Sequence, residues 1–403
     1  MGNKGDVKEL HYLFPLFFVG IMFFAIGFAL GINSYLVPLL TNVLGISSGE
    51  SYLVIAATFS AFLIFAYPAS VVIGHIGYKR TMALSFLMFA LGFFMFIPSA
   101  NHGSLTLFLL ASFVCGIGNT FLQASVNPYV TILGPMKSAA KRISIMGICN
   151  KFAWPVAPVF LAATIGKPVE QVQLGDIKLP FLLIIAIFLL LGLFALLVPL
   201  PEVKAVGEDE DSLADCPYAA AKTSVWQFPH LLLGCLALFL YVGVETLALA
   251  TTVDYANCIG LDNPQDYSVY PSIGLVVGYV CGILLIPNYL SQETALKICA
   301  CLAIVASLVV VLAPVTISIW SVAVVALACS LMWPALWPLA MADLGRFTKK
   351  GSSLLVVAIV GGAVIPAVFG LLKDNVGCQD AYWILIPCFL YILYYALIGY
   401  KVR

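Results

Sequence analysis

Charge is scarce in this chain. Asp, Glu, Lys and Arg make up 9% of its 403 residues, where a soluble domain carries about 25%. So thin a supply cannot cover a water-facing surface, and 62% of the residues are hydrophobic. The outer surface must itself be apolar, which makes lipid the solvent. Histidine is scarcer still. His11, His75, His102 and His230 are the four present, all expected near interfaces or loops, and no catalytic cluster is visible. The net charge is zero and the basic residues form no patch, which argues against a nucleic-acid partner. The eleven cysteines include no CxxC pair and no Cys/His metal spacing. Most of them, such as Cys115, Cys149, Cys235 and Cys329, sit in apolar runs as small hydrophobes. The expectation is no disulfide and no metal site. No cleavable signal peptide is expected either: MGNKGDVKELHY is polar, and the apolar run after it is too long for a signal peptide.

Long apolar runs are what the sequence has in abundance. A spanning helix needs roughly 20 apolar residues. Twelve candidates follow, at 12–41, 52–74, 82–99, 105–132, 143–166, 180–200, 228–253, 268–290, 295–313, 316–342, 352–374 and 381–400. The strongest break is 201–225, acidic and too polar to insert. It divides the chain into 1–200 and 226–403, six spans each, around a linker. With the N-terminus inside, only Lys167, Lys178 and Lys373 of the nineteen basic residues fall outside. Lys151 lies within a span and the other fifteen fall inside. By the positive-inside rule both termini and the linker are expected to be cytoplasmic.

The two parts echo each other. The fourth span ends NPYVTILGP (127–135), followed by a basic loop and a span with Trp154, Pro155 and Pro158. The tenth ends WPLAMADLG (337–345), followed by a basic loop and a span with Gly361, Gly362 and Pro366. The expected fold is therefore all-α and integral to the membrane. It has twelve transmembrane helices in two related six-helix halves, the layout of a major facilitator superfamily transporter.

Polar side chains inside such spans usually face a cavity or another helix. Asn119, Gln123 and Asn127 stand four apart and form one stripe. Amides suit a ligand rich in hydroxyls, and they also serve as glue between membrane helices. In span five Lys151 lies nine residues beyond Arg142, about 14 Å along a helix. That is near the middle of a hydrocarbon layer of about 30 Å, where snorkelling is difficult. Asn150 is beside it. Span seven carries Glu245 in the outer part of the membrane, with Tyr241 and Thr252 on its side and Asp254 at the mouth. Span one has Asn33 and Ser34 among glycines. Span ten has Trp333 and Trp337, each followed by proline, which favours a kink. Their indole rings can stack on a sugar face or simply pack. The loop GHIGYKR (74–80) is expected between spans two and three as a tight basic turn or a hinge.

Five stretches carry a resemblance: NPYVTILGP, KRISIMGICNK (141–151), YVGVE (241–245), IPNYLSQETALK (286–297) and FTKKGSSLLVVAIVGGAVIP (347–366). Here the chain resembles the fucose–galactose–glucose:proton symporter family, and within it the glucose/galactose transporter branch of Bacteroidetes-type bacteria. The resemblance covers nearly the whole chain. It implies monosaccharide uptake across the bacterial inner membrane. It also implies acids in the slots that look like Ser34 and Gln123, and neither acid is present. Asn33, Asn127 and Asn150 fit the family pattern. Lys151 replaces a small residue of the fucose type.

Alternating access is expected, with a hexose bound near the midplane by Asn33, Gln123, Asn127, Asn150, Lys151, Trp333 and Trp337. Lys151 and Glu245 are the candidates for coupling or charge compensation. No cofactor is expected beyond a co-transported proton, or sodium held by Glu245, Thr246 and Thr252. Uniport is the alternative, with Lys151 as a fixed cation. A drug effluxer would share the fold but favour a wider, more apolar cavity. A monomer in membrane lipid is expected, and not an enzyme.

Overall fold

The computed structural model describes residues 4–46, 48–167, 172–201, 216–261, 267 and 269–403. Most of the linker at 201–225 thus lies outside the described residues, as do the side chains of Ser34, Pro158 and Asp254. The described chain is helical throughout, because in lipid a helix satisfies every backbone N–H and C=O within its own segment. The helices are α1 (Lys4–Leu44), α2 (Ser48–His102), α3 (Leu105–Ile132), α4 (Ala139–Ile165), α5 (Lys178–Leu197), the short α6 (Pro217–Ala220), α7 (Pro229–Ala250) and α8 (Thr252–Cys258). They continue with α9 (Val269–Leu285), α10 (Gln292–Leu312), α11 (Val315–Cys329), α12 (Met332–Met341), α13 (Thr348–Ala358), α14 (Gly361–Val376) and α15 (Leu385–Leu397).

Among the described residues, ten helical stretches are long and apolar enough to cross a membrane, and Val269–Leu285 is a shorter apolar one. One of the ten, within α2, holds two crossings, so all twelve expected spans are present. The expected GHIGYKR loop is not an open turn. Helix runs through it except at Gly77, whose φ of 79° and ψ of 172° redirect the chain at a single residue. Glycine adopts that positive φ without steric penalty. Much of the outer surface is apolar: on α5, Leu190 is 64% and Leu197 71% exposed, as lipid contact demands.

Spans ten and eleven are both interrupted. The tenth breaks at Ser330–Leu331 between α11 and α12. Pro334 has no N–H to offer the Ser330 carbonyl one turn back, so the break falls before the Trp-Pro pairs rather than within them. The eleventh breaks at Ile359–Val360, ahead of Gly361 and Gly362. The repeat seen in the sequence folds alike at its connecting turn, while α3 and α4 run without the breaks of spans ten and eleven. A 3-10 turn at Met136–Ser138 joins α3 to α4, and one at Gly345–Phe347 joins α12 to α13.

The chain forms two compact units: Met1–Leu133 with Cys149–Val203, and Gly134–Ile148 with Lys204–Arg403. In the first, α2 packs on α3 and α5, and α1 packs on α2 and α3. In the second, α7 is central and meets α12, α13, α14 and α15, while α11 packs on α9 and α10. The first turns of α4 belong to the second unit, where Gly147 lies close to the Tyr279 ring. A Cβ on Gly147 would come within 2.8 Å of that ring.

One expectation is overturned. Cys258 and Cys378 form a disulfide, with their Cα atoms 6.5 Å apart and 120 residues between them in sequence. Neither lies in an apolar run: one ends α8 and the other follows α14. Spacing along the chain could not show that these two loop ends meet.

Close helix contact in the first unit depends on glycine. Gly27 and Gly31 stand one turn apart on α1, and a Cβ on either would run into the backbone carbonyl of Asn150 or Trp154 on α4. Small residues four apart let membrane helices approach this closely. Gly31→Ala is expected to force the helices apart. Overpacking of this kind costs about 1–3 kcal/mol, a shift of several degrees in melting temperature. Gly74, with nothing within 4 Å of a Cβ, is the matched control. A thermal melt in detergent reads both; equal melting of Gly31→Ala and Gly74→Ala would refute the contact.

Candidate functional site

Each unit holds one polar constellation inside apolar helices. In the first unit the amide stripe is fully helical and buried: Asn119 and Asn127 are 1% and Gln123 is 8% exposed. Gln123 Nε2 donates to Asn119 Oδ1 at 3.0 Å, so the stripe is linked along its own helix. Asn33 on α1 donates to Thr58 Oγ1 on α2 at 3.4 Å, and Thr58 in turn donates to the Val54 carbonyl at 3.0 Å. Asn33, Thr58 and Asn119, with Cys115 and the rings of Phe89, Phe93 and Phe96, line a void of about 10 Å³. That is about the room one water needs. Asn33 and Asn119 therefore meet around a single small space. The sequence singled out both residues but not Thr58 or Cys115, since a lone Thr or Cys in an apolar run carries no signal.

Asn150 and Lys151 lie elsewhere in this unit, on α4. Asn150 Nδ2 donates to the Phe23 carbonyl of α1 at 3.2 Å. Its amide thus serves the α1–α4 contact built on Gly27 and Gly31, the gluing role open to amides in lipid. Lys151 is twelve residues into α4, about 18 Å along the axis, and its side chain is half-buried.

The second unit gathers aromatic rings about a carboxylate. Tyr241 and Glu245 stand one turn apart on α7, 0% and 8% exposed. Glu245 interacts electrostatically with the hydroxyls of Tyr241 and of Tyr279 on α9, and the Cys329 thiol at the end of α11 lies with them. The Tyr241 ring is 6.3 Å from Trp333. Trp333 stacks on Trp337, with centroids 5.3 Å apart and planes at 28°. The break before Pro334 aims this pair at α7. Trp337 is fully buried behind the half-buried Trp333. Tyr279 was missed in the sequence, where VVGYVCG reads as ordinary apolar helix; only its closeness to Gly147 and its electrostatic interaction with Glu245 mark it. Thr252 Oγ1 donates to the Ala248 carbonyl at 2.7 Å, one turn back.

Chemically, the two constellations differ. The first offers amide donors and acceptors, and the second offers ring faces with one carboxylate. Asn119 Nδ2, Asn127 Nδ2 and Trp337 Nε1 find no acceptor among the described residues. A buried donor without a partner costs about 1–3 kcal/mol, so a hydroxyl-bearing ligand gains most at such atoms. Interrupted helices lining polar sites near the membrane centre are how transporters build their binding sites.

Twelve apolar crossings with these buried polar constellations define a multi-pass membrane protein, and its family and relatives make it a transporter rather than an enzyme. The Major Facilitator Superfamily sequence profile matches residues 18–370. The chain belongs to that superfamily. It is 35% identical to the glucose/galactose transporter of Brucella abortus over 98% of this chain and 96% of that one. It is 25% identical to the L-fucose-proton symporter of Escherichia coli, over 93% and 90%. The crystal structure of the transporter FucP in the outward conformation superposes with a TM-score of 0.80 at 23% identity, over 96% and 98% of the two chains.

Proposed function

We propose that this chain takes up a hexose of the glucose/galactose kind across the bacterial inner membrane, by alternating access and coupled to a cation. The observation that carries the sugar reading is the Trp333–Trp337 stack beside Tyr241 and Glu245. Carbohydrate recognition pairs ring faces with polar groups at their rim. The relatives named for glucose, galactose and fucose support the same substrate class. In this reading residues 1–200 and 226–403 are the two halves, joined by a cytoplasmic linker at 201–225. Both termini are cytoplasmic and the transporter works as a monomer in lipid. The residues proposed to contact sugar are Asn33, Gln123, Asn127, Lys151 and Trp333, while Asn150 holds α4 against α1 and Trp337 backs Trp333. A sugar drives closure only through contacts that differ between the two states.

The coupling ion is the proton, carried at Glu245 among the Tyr241 and Tyr279 hydroxyls. The E. coli relative is a proton symporter by name. Sodium at Glu245, Thr246 and Thr252 is the second reading; the Thr252 hydroxyl donates its hydrogen to the Ala248 carbonyl of α7, which leaves its oxygen lone pairs for an ion. Counterflow in proteoliposomes tests the substrate, using glucose, galactose, mannose, fucose and N-acetylglucosamine with and without sodium across pH. Hexoses are expected to compete. Competition only by apolar cations would point to drug efflux, and indifference to both gradients to uniport.

Trp333 is the ring within reach of a ligand, and Trp337 supports it from behind. Trp333→Ala is expected to raise the half-saturating sugar concentration about two- to tenfold, from about 0.5–1.5 kcal/mol of lost ring contact. Trp333→Phe keeps most of the affinity. Equal affinity in all three proteins would remove the stack from the site.

A further inference from the structure

Cys258 and Cys378 follow the seventh and eleventh crossings, so they lie on one side of the membrane whichever way the chain is inserted. The loop with Arg346, Lys349 and Lys350 follows the tenth crossing, and Lys401 and Arg403 follow the twelfth; both are on the opposite side. The positive-inside rule makes that basic side cytoplasmic. Disulfides persist in the periplasm and are rare in the cytoplasm. Two independent physical rules therefore put the bonded pair outside.

The bond holds a particular piece of the fold. α7 ends at Ala250, the chain bends at Thr251, and α8 restarts as a separate seven-residue helix. The near end of α8 is fastened by hydrogen bonding. Thr251 Oγ1 and Tyr382 Oη are 2.7 Å apart, and Tyr255 Oη is bonded to Ser318 Oγ. Beside Cys378, Gln379 Nε2 donates to the carbonyls of Val310 and Ala313 at 2.9 and 2.8 Å. That seats the segment before α15 on the end of α10. The far end of α8 is Cys258, and the disulfide ties it to this seated segment.

We propose that Cys258 and Cys378 are a periplasmic oxidation site. Their disulfide clamps α8, the outer continuation of the helix that bears Glu245, onto the segment leading into α15, and full transport requires it. Formation needs a periplasmic protein disulfide as oxidant. One cysteine thiolate attacks a sulfur of that disulfide, forming a mixed disulfide and releasing one oxidant thiol. The second thiolate displaces the other oxidant sulfur and closes the Cys258–Cys378 bond. Two electrons and two protons pass from the cysteine pair to the oxidant, which leaves as a dithiol. Cys258 is exposed and Cys378 half-buried, so aqueous thiol reagents reach the bond. Among the other cysteines, Cys281 and Cys301 are the exposed ones, and both lie in apolar crossings.

The transport arm of the test rests on the uptake reading above; the other two arms need no sugar. Right-side-out vesicles are treated with a permeant maleimide, then a membrane-impermeant phosphine, then an impermeant polymer-linked maleimide. Two tags per chain are expected, and none in the Cys258→Ser/Cys378→Ser double variant. No tags even after membrane disruption, or two tags only after it, would overturn the proposal. Reduction of the purified protein is expected to lower its melting temperature by roughly 5 °C or more, with no such effect on the double variant. Sugar uptake by the double variant and by reduced wild type is expected to fall about fivefold, the low end for coupled conformational steps. Tagging and melting as expected with unchanged uptake would refute the transport requirement. Absent uptake in every protein would count against the uptake reading alone.

Discussion

Glu245→Gln is expected to abolish concentrative sugar uptake while leaving sugar exchange intact. One co-transported charge is worth about 2.3 kcal/mol per 100 mV, so coupling to a single proton supports about 50-fold accumulation at that potential. Glutamine keeps the size of the side chain and its capacity to accept a hydrogen bond, but it cannot carry a proton. The variant should therefore equilibrate sugar to a ratio near one under an imposed gradient, while counterflow proceeds close to the wild-type rate. Two features of the surroundings motivate this. The carboxylate is 8% exposed, and it lies with the Tyr241 and Tyr279 hydroxyls beside the tryptophan pair. A proton gained or lost there changes the local hydrogen bonding where sugar is proposed to stack. Accumulation by Glu245→Gln equal to wild type would move the coupling group elsewhere.

Lys151→Ala is the second large effect. A hydrogen bond to a charged group contributes about 1.5–3 kcal/mol, so losing one to sugar raises the half-saturating concentration roughly 10- to 100-fold. If the ammonium instead compensates charge during coupling, affinity holds and gradient dependence changes. Counterflow and gradient-driven uptake on the same proteoliposomes separate the two. Lys151→Ala with both properties unchanged would end any functional role for this lysine. Asn150→Ala gives the contrast. Its amide is engaged by the Phe23 carbonyl, so its loss should appear in stability before it appears in affinity.

How much was legible in the sequence follows from the range of each interaction. All twelve crossings could be read, because each needs only a local run of apolar residues. The amide stripe was legible for the same reason: residues four apart share a helix face whatever surrounds them. The breaks in spans ten and eleven were half legible. Pro334, Pro338 and the Gly361–Gly362 pair announced an interruption, and the missing N–H of Pro334 explains why it falls four residues earlier, at Ser330.

Pairings between distant segments were not legible. Asn33 with Thr58 and Asn119, Asn150 with Phe23, Glu245 with Tyr279, and Cys258 with Cys378 each join helices far apart along the chain. Nothing in local periodicity tells an amide that glues two helices from one that faces a ligand. By composition and period alone, the sequence determined that this protein lives in lipid, crosses it twelve times, and buries amides, a lysine, a carboxylate and paired tryptophans there. Only the tertiary structure decided which of these meet. That depends on how closely helices approach, and the approach is set by glycines such as Gly27, Gly31 and Gly147, whose missing side chains act only on a neighbouring helix.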